Sequence, residues 1–231
     1  MSAKFKNPRA KHNFVGRTCS ITGVGSYVPE KILTNADLEK MVETSDEWIT
    51  TRTGIKERRI AAANEFTADL AAKAAERAMK MAGVTADQID LIIVATITPD
   101  MPFPNTACLV QQKIGAPRIP AFDIEAACSG FLYALEIGQQ FIASRVYETV
   151  LVIGAEKLSS ITNWKDRNTC VLFGDGAGAA ILQNRALAHG LLTTALGADG
   201  HKADLLSMPG GGSRCPATPQ TVSDGLHFLR M

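Results

Sequence analysis

Short apolar runs rich in β-branched residues alternate with stretches of helical spacing along this sequence, and that alternation constrains the fold more than any other feature. It favours a mostly parallel sheet covered by helices, since strands that alternate with helices form such layered folds. The predicted fold class is therefore α/β. The predicted strands span residues 19–27, 91–96, 121–126, 150–154, 177–182, 191–196 and 226–230.

Helix-start signals mark the stretches between these strands. Thr34 and Asp37 have the spacing of a capping box, which predicts a helix that begins at Thr34. Another helix is predicted after Thr67, where one close-packing face consists of the alanines at 71, 75, 78 and 82. The segment 129–145 carries large apolar residues on more than one stripe, which predicts a central helix that is buried on several sides.

The composition indicates a globular protein whose overall charge attracts no particular partner. The 231 residues are 46% hydrophobic and 20% charged, and 24 Lys and Arg against 23 Asp and Glu leave a formal charge of +1. No overall field would draw in nucleic acid or an anionic membrane, so neither is expected as a partner. The sequence has no apolar run of about 18 residues that would suggest a membrane span.

The five cysteines, at 19, 108, 128, 170 and 215, indicate a reducing environment. Their number is odd, and they lack the short paired spacings of a zinc site or a disulfide framework. A cytoplasmic location without a bound metal is therefore expected. Cys19, Cys108 and Cys170 lie among apolar residues and are predicted to be buried, whereas Cys215 lies in a loop with Gly and Pro and is predicted to be exposed.

Cys128 has a setting that suits a nucleophile. It lies between the apolar run that ends at Ala127 and the helix predicted from Ser129, so its sulfur is expected at a helix N-terminus. There, unpaired N–H groups and the positive end of the helix dipole favour a thiolate. Gly130 leaves room for a thioester carbonyl, whose oxyanion the N–H groups would stabilise. By position alone, a nucleophile and a small buried hydrophobic residue both remain open.

A glycine-rich run at 174–178 has a superficial likeness to a phosphate-binding loop. It lacks the Lys-Ser/Thr pair that follows such a loop, and it precedes a predicted strand where a helix would be required. The run is therefore interpreted as a tight turn that leads into the strand predicted at 177–182.

Five motifs occur in order along the chain. They are GVGSYVP at 23–29, TSDEWI at 44–49, RTGI at 52–55, AACSGF at 126–131 and FGDGAGA at 173–179. Together they closely resemble β-ketoacyl-acyl-carrier-protein synthase III, the initiating condensing enzyme of bacterial type II fatty-acid synthesis. The resemblance covers about residues 19–231. It implies a thiolase-like fold, in which two similar α/β halves pack together and the active cysteine caps a buried helix.

The resemblance divides the chain into three parts. Residues 1–17 form a basic arm with no acidic residue before Glu30, and this arm is expected to be disordered. Residues 18–187 correspond to the N-terminal thiolase-like half, a mostly parallel mixed sheet covered by helices, which carries the nucleophile. Residues 188–231 correspond to the beginning of the C-terminal half, which is expected to be incomplete.

The resemblance also implies a reaction. Cys128 would take an acyl group from acyl-coenzyme A, and the acyl group would then be condensed with malonyl-acyl-carrier protein after decarboxylation. Acyl-coenzyme A is thus expected as a substrate, with no permanently bound cofactor, and the acyltransferase is expected to be a homodimer. This likeness favours the nucleophile over the buried hydrophobic residue at Cys128.

Two groups of residues carry further roles by resemblance. Coenzyme A would contact Thr44, Trp48, Arg52 and Arg167, with its adenine held between Trp48 and Arg167. The acyl pocket would be lined by Phe103, which crosses a dimer interface, and by Leu158 and Phe173. Periodicity alone would make Trp48 a half-buried helix residue and the two arginines solvated charges, and the acyl-pocket residues suit core or interface packing equally well.

The histidines, at 12, 189, 201 and 227, depart from the family pattern. None matches the His that works with an Asn in this family, and both residues are expected beyond Met231. The chain alone is therefore expected to be inactive in condensation. The 44–55 block argues against two other thiolase-fold enzymes, hydroxymethylglutaryl-coenzyme A synthase and polyketide-type ketosynthase. A half-enzyme fragment or non-catalytic partner subunit remains an open alternative.

Overall fold

The computed structural model describes residues 19–185 and 190–231, and its core is a five-stranded mixed sheet. This sheet has the strand order β1-β7-β6-β4-β5, and β2 and β3 form a separate antiparallel pair. The strands are β1 (Cys19–Tyr27), β2 (Lys31–Thr34), β3 (Glu57–Ile60), β4 (Leu91–Ala95), β5 (Ala121–Ile124), β6 (Thr149–Lys157) and β7 (Asp175–Asn184).

Seven α-helices in the described ranges connect or cover these strands. They are α1 (Asn35–Leu38), α2 (Asp46–Thr53), α3 (Thr67–Ala82), α4 (Thr106–Lys113), α5 (Gly130–Ala143), α6 (Arg167–Cys170) and α7 (Pro219–Ser223). The capping box predicted for Thr34 and Asp37 is confirmed at the start of α1. The central helix is two residues shorter at its end than predicted, because the chain leaves the helix and reaches a positive φ of 66° at Arg145.

Two apolar layers enclose the sheet. On one face, α3 and α4 pack against side chains such as Ile92, Leu151 and Ile181. On the opposite face, α5 packs against the alternate residues of the same strands, such as Ile93 and Val152. Strands β4 and β6 are thus buried on both sides, which explains their nearly continuous apolar sequence. The predicted alanine face of α3 is confirmed, since its members lie in the first layer.

Two predicted strands are wrong. Residues 191–196 run without regular structure, and Leu191 makes a single backbone hydrogen bond to the Cys19 carbonyl, at 2.9 Å. Residues 226–230 form turns that lead to an isolated bridge at Arg230. Leu191 packs against the second apolar layer and Leu229 is buried, whereas Leu192 is 87% exposed. An apolar pattern cannot distinguish such isolated contacts from pairing in a sheet.

Strands β2 and β3 were not predicted, because each has four residues and β3 is largely charged. The ladder between them runs from Lys31 opposite Ile60 to Thr34 opposite Glu57. The expected basic arm at 1–17 lies outside the described residues, and so does the expected boundary at 187/188. Within the described ranges, no helix combines the length and the apolar character needed to cross a membrane.

Strand β1 lies unusually close to α3. A methyl group added at Gly25 would overlap the Ala74 carbonyl and the Ala78 amide of α3, and Gly23 faces the same helix at similarly short range. The small side chains of α3 and the two glycines are therefore complementary. Strand β1 ends two residues after Gly25, at Tyr27, and the segment with three of the coenzyme A candidates lies between this strand and α3.

The contact between β1 and α3 predicts that Gly25→Ala destabilises the protein by roughly 1–3 kcal/mol, because the added methyl group forces helix and strand apart. The matched control is Gly178→Ala in β7, where an added methyl group meets nothing within 4 Å. We expect the control to stay within about 0.5 kcal/mol of the parent or to be slightly more stable. Urea unfolding followed by circular dichroism measures both, and equal midpoints for the two variants would contradict the prediction.

Candidate active site

The candidate site residues lie along one edge of the large sheet. Strands β1, β6, β4 and β5 run in the same direction, and β7 runs antiparallel to β1 and β6. The carboxyl ends of the four strands therefore meet the amino end of β7 at the same edge. Ligands bind at this edge in open α/β sheets. Each predicted site residue lies in a segment that leaves or enters the sheet at this edge.

Cys128 occupies the turn between β5 and α5. It is exposed and lies in a 3-10 turn, Ala127–Ser129, that continues directly into α5 at Gly130. Ala127 has a φ of 44°, a left-handed conformation that is uncommon and costly for a residue with a side chain. Backbone strain of this kind often marks functional sites. The structure thus places the sulfur on the surface at a helix start, where the sequence predicts it.

A cleft of about 540 Å³ flanks this turn. Ala126, just before the cysteine turn, and Ser129, its last residue, contribute to the wall of this cleft together with Tyr133 and Ile137 of α5. Most of the exposed lining is apolar, which suits an acyl chain or a pantetheine arm better than a charged group. Gly130 packs tightly, since a Cβ there would lie 3.1 Å from the Cβ of Ala95, so this glycine brings the start of α5 close to β4.

Helix α2 carries Trp48, the aromatic residue predicted to stack on the adenine of coenzyme A. We call the region around Trp48, Arg52 and Arg167 the coenzyme A mouth. Ser45 caps α2, and Trp48 lies half-buried in its first turn. The guanidinium of Arg167 lies over the Trp48 ring at 4.4 Å from its centroid, and that of Arg52 lies at 5.2 Å. The three side chains are therefore brought together as predicted. Because a purine between Trp48 and Arg167 requires about 7 Å for two stacking contacts, the space between them is closed in this structure.

Two polar atoms at this mouth lack a partner. Among the described residues, the Thr44 hydroxyl and the Arg167 Nε are buried and find no hydrogen-bond partner. Buried polar groups are nearly always paired, so such atoms often mark the place of a ligand or water. A neighbouring cleft of about 420 Å³ is lined by Trp48 and Arg52 together with other residues of α2. Trp48 and Arg52 thus line this cleft, and Arg167 lies against the Trp48 ring beside it.

The three predicted acyl-pocket residues occupy different loops at the same edge. Leu158 lies half-buried in a 3-10 turn directly after β6, and Phe173 lies half-buried two residues before β7. Phe103 follows β4 and is 84% exposed.

Comparison with known proteins identifies the family. Residues 122–200 match the family described as 3-Oxoacyl-[acyl-carrier-protein (ACP)] synthase III. The Beta-ketoacyl-[acyl-carrier-protein] synthase III of Caldanaerobacter subterraneus subsp. tengcongensis is 60% identical over 211 residues, which are 91% of this chain and 64% of that protein. The protein of the same name from Symbiobacterium thermophilum is 58% identical over 215 residues, which are 93% of this chain and 65% of that protein.

A solved structure agrees with these sequence matches. The crystal structure of 3-oxoacyl-[acyl-carrier-protein] synthase III from Aquifex aeolicus VF5 has a TM-score of 0.83 at 48% identity and covers 94% of this chain and 64% of that chain. The 2.1 Angstrom crystal structure of another 3-oxoacyl-(acyl-carrier-protein) synthase III has a TM-score of 0.83 at 31% identity and covers 93% of this chain and 67% of that chain. The chain belongs to the β-ketoacyl-acyl-carrier-protein synthase III family. The predicted thiolase-like fold is thereby confirmed. This synthase III chain spans about two thirds, 64% and 65%, of the length of the two relatives.

Two carboxylates, of which Asp175 is buried, hold loops beside this candidate site, and the sequence analysis did not identify them. Asp175, at the start of β7, accepts hydrogen bonds from the Ser159 amide at 2.8 Å, the Ser159 hydroxyl at 2.6 Å and the Ala61 amide at 2.7 Å. It therefore fixes the turn that carries Leu158. The motif at 173–179 contained this aspartate, but only its glycines had been interpreted.

Glu156 holds a second loop in the same way. Its carboxylate accepts hydrogen bonds from the Ile97 amide at 2.9 Å and the Thr98 hydroxyl at 2.5 Å. These residues begin the loop that leads to Phe103. Burial raises the pKa of Glu156, and the hydrogen bonds from Thr98, Ile97 and Thr96 reduce that shift without cancelling it.

The remaining cysteines and histidines have structural settings. Cys19 and Cys170 are buried as predicted, and burial raises the pKa of Cys19 to about 12. Cys108 and Cys215 are both partly buried, so the first is less buried and the second less exposed than predicted. His201 is exposed, and the described residues contain no cluster of three or more potential metal ligands. His12 and His189 lie outside the described residues.

The raised pKa of Glu156 predicts a pH-dependent effect of Glu156→Gln. The folded protein holds this proton at pH values where the unfolded chain has released it, so unfolding releases a proton and the stability of the parent falls as pH rises. A glutamine can accept from the Ile97 amide and donate to Thr98. We therefore expect the stability of the variant relative to the parent to rise as pH increases above about 4.3, the unfolded-state pKa of a glutamate, and to level off once pH exceeds the raised pKa of Glu156.

For a matched variant, Glu65→Gln, we expect the difference in stability from the parent to change with pH in the opposite direction. Burial raises the pKa of Glu65, but hydrogen bonds from Lys73 and Tyr27 outweigh that effect and leave its pKa lowered. Its contribution is present above the unfolded-state pKa and is lost as pH falls. Glu65→Gln should therefore lose stability towards neutral pH. Urea unfolding at several pH values measures both variants, and a pH-independent difference for Glu156→Gln would refute the assignment.

Proposed function

We propose that this chain carries the acyl-accepting site of a β-ketoacyl-acyl-carrier-protein synthase III, an acyltransferase of fatty-acid biosynthesis. Cys128 attacks the thioester carbonyl of acyl-coenzyme A, the carbon–sulfur bond to coenzyme A breaks, and coenzyme A leaves as the thiol. The observation that carries this proposal is the exposed sulfur of Cys128 in a strained turn at the start of α5, beside an apolar cleft. The N–H groups at this helix start face the developing oxyanion.

The mouth around Trp48 supports coenzyme A as the acyl carrier. Trp48 and the guanidinium groups of Arg52 and Arg167 offer stacking surfaces for adenine and positive charge for its phosphates. The partnerless Arg167 Nε and Thr44 hydroxyl supply hydrogen bonds that the free protein leaves unmade. Adenine enters between Trp48 and Arg167 by displacing the guanidinium from its present position on the ring. Acyl-coenzyme A is a substrate in this proposal, and no permanently bound cofactor takes part.

The second half of the reaction involves malonyl-acyl-carrier protein. After decarboxylation, the malonyl carbanion attacks the acyl group on Cys128 and releases the cysteine thiolate. Leu158 and Phe173 line the pocket for the acyl chain. The highly exposed Phe103 closes the pocket of the partner subunit in a homodimer, which accounts for its exposure in a single chain.

A direct test is acylation of the 231-residue chain by acetyl-coenzyme A. We expect intact mass spectrometry to detect one acetyl group, and peptide mapping to place it on Cys128, because this sulfur is exposed at the helix start. Cys128→Ala should show no adduct, whereas the control Cys215→Ala should be acetylated like the parent. Acetylation of Cys215 or Cys108 in place of Cys128 would refute the assignment of the nucleophile.

The same samples test how far the chain carries the reaction. Addition of malonyl-acyl-carrier protein should leave the acetyl group on Cys128, with no acetoacetyl product, because the His and Asn of the family are not matched in this sequence. An acetoacetyl product that forms with the parent and not with Cys128→Ala would show that the groups present suffice for condensation.

The adenine role of Trp48 predicts a selective defect in Trp48→Leu. Loss of the stacking surface should raise the KM for acetyl-coenzyme A in the acylation of Cys128 about tenfold, since base–aromatic stacking contributes about 1–3 kcal/mol. Acetyl-pantetheine, which lacks adenine, should react equally well with parent and variant. The control is Trp164→Leu, which removes the other tryptophan from the same apolar cluster. An equal loss with both donors would contradict an adenine role.

A further inference from the structure

Arg58 is a buried cation that the proposed reaction does not use. It lies in β3 and is 4% exposed. Its Nε donates to the Val171 carbonyl at 3.0 Å, its Nη2 donates to the same carbonyl, and its Nη1 donates to the Asn35 side-chain oxygen. Burial lowers the pKa of Arg58, yet an arginine remains charged at any physiological pH. A buried charge held by uncharged acceptors is expensive, so its position requires an explanation.

Asn35 connects Arg58 to both ends of α2. Its amide nitrogen donates to Asp46, the first residue of α2, at 2.7 Å. The same nitrogen donates to the carbonyl of Ile55 at 2.9 Å, and Ile55 directly follows Gly54, the residue that caps the end of α2. The helix that carries Trp48 is therefore tied at both ends to one side chain, and that side chain is tied to Arg58.

The other partner of Arg58 lies at the opposite wall of the coenzyme A mouth. Val171 directly follows α6, whose first residue is Arg167. Apolar contacts among Leu38, Ile49 and Cys170 also join the walls, but apolar packing is non-directional and permits small shifts of one helix against another. The planar guanidinium has donors at fixed angles, so it fixes the distance and orientation between its two acceptors.

We propose that Arg58 is a positioning residue that sets the separation of Trp48 on α2 and Arg167 on α6, and thereby the affinity for the adenine end of acyl-coenzyme A. This inference rests on the proposed function, because it assumes that coenzyme A binds at this mouth. Arg58 itself touches neither the nucleophile turn nor the cleft beside it. Its removal should therefore affect adenine recognition and leave the chemistry at Cys128 intact.

The first test needs no ligand. In a Trp164→Phe background Trp48 is the one remaining tryptophan, since the chain has two. We expect Arg58→Met to raise the acrylamide quenching constant of Trp48 about twofold, because the ring loses its fixed position beneath Arg167. Arg77→Met is the matched control, since Arg77 donates to the Ser26 carbonyl at 2.6 Å on another part of the surface. Unchanged quenching in Arg58→Met would overturn the inference, whatever the function of the chain.

The second test uses acylation of Cys128. Arg58→Met should raise the KM for acetyl-coenzyme A about tenfold, leave the rate at saturation within about twofold of the parent, and leave acetyl-pantetheine unaffected, because a small displacement of a binding wall weakens binding without changing the reacting groups. An equal loss with both donors, or a fall in the saturated rate, would overturn the inference in favour of a general structural role. If the parent is not acylated at all, the proposed function fails, and the quenching result still decides the role of Arg58.

Two further variants keep the inference testable if Arg58→Met folds poorly. Arg58→Lys keeps the charge but cannot bridge both acceptors, so it should show intermediate quenching and an intermediate KM. Asn35→Asp still accepts from Arg58 but cannot donate to Asp46 or Ile55, so it should loosen Trp48 although the buried charge is retained. If both behave like the parent in quenching and KM, the connection between Arg58 and the adenine mouth is disproved.

Discussion

The direction of the five strands is the constraint on which the site depends. Strand β7 is inserted antiparallel between β1 and β6, so its amino end lies beside the carboxyl ends of all the other strands of the sheet. The turn of Cys128, the loop of Phe103 and helix α6 therefore open on one edge although they are far apart in sequence. A strand order with β7 parallel to its neighbours would send its preceding segment, including Phe173, to the opposite edge.

Three segments at this edge are held in place by hydrogen bonds to an ionisable side chain, one side chain for each segment. Asp175 holds the turn after β6, Glu156 holds the loop after β4, and Arg58 holds α2 against α6. Each of these side chains bonds mainly to backbone groups or neutral side chains. Such buried polar networks are costly unless satisfied, and once satisfied they specify a single arrangement.

The sequence was informative where a local pattern has one structural meaning. The capping box at Thr34, the alanine face of α3 and the strand–cysteine–helix junction at Cys128 all have the predicted setting. Residues 191–196 and β3 were misjudged because strand pairing depends on distant partners, which apolar or charged patterns do not reveal. Arg58 could not be recognised for the same reason. A charged residue in a short polar run suggests an exposed position, and only the distant Val171 carbonyl and Asn35 make its burial possible.

The closed contact between Trp48 and Arg167 has an energetic consequence for ligand entry. A partly exposed cation–π pair contributes about 0.5–2 kcal/mol, and entry of a purine sacrifices it. The purine then stacks on both groups, and base–aromatic stacking alone contributes about 1–3 kcal/mol. The exchange is therefore favourable if the Arg167 side chain moves off the ring by about one aromatic thickness while α2 and α6 keep their separation, since a wider opening forfeits one of the two contacts. A rigid, directional connection at the base of α2 and α6 meets that requirement better than apolar packing, and the buried guanidinium of Arg58 provides it.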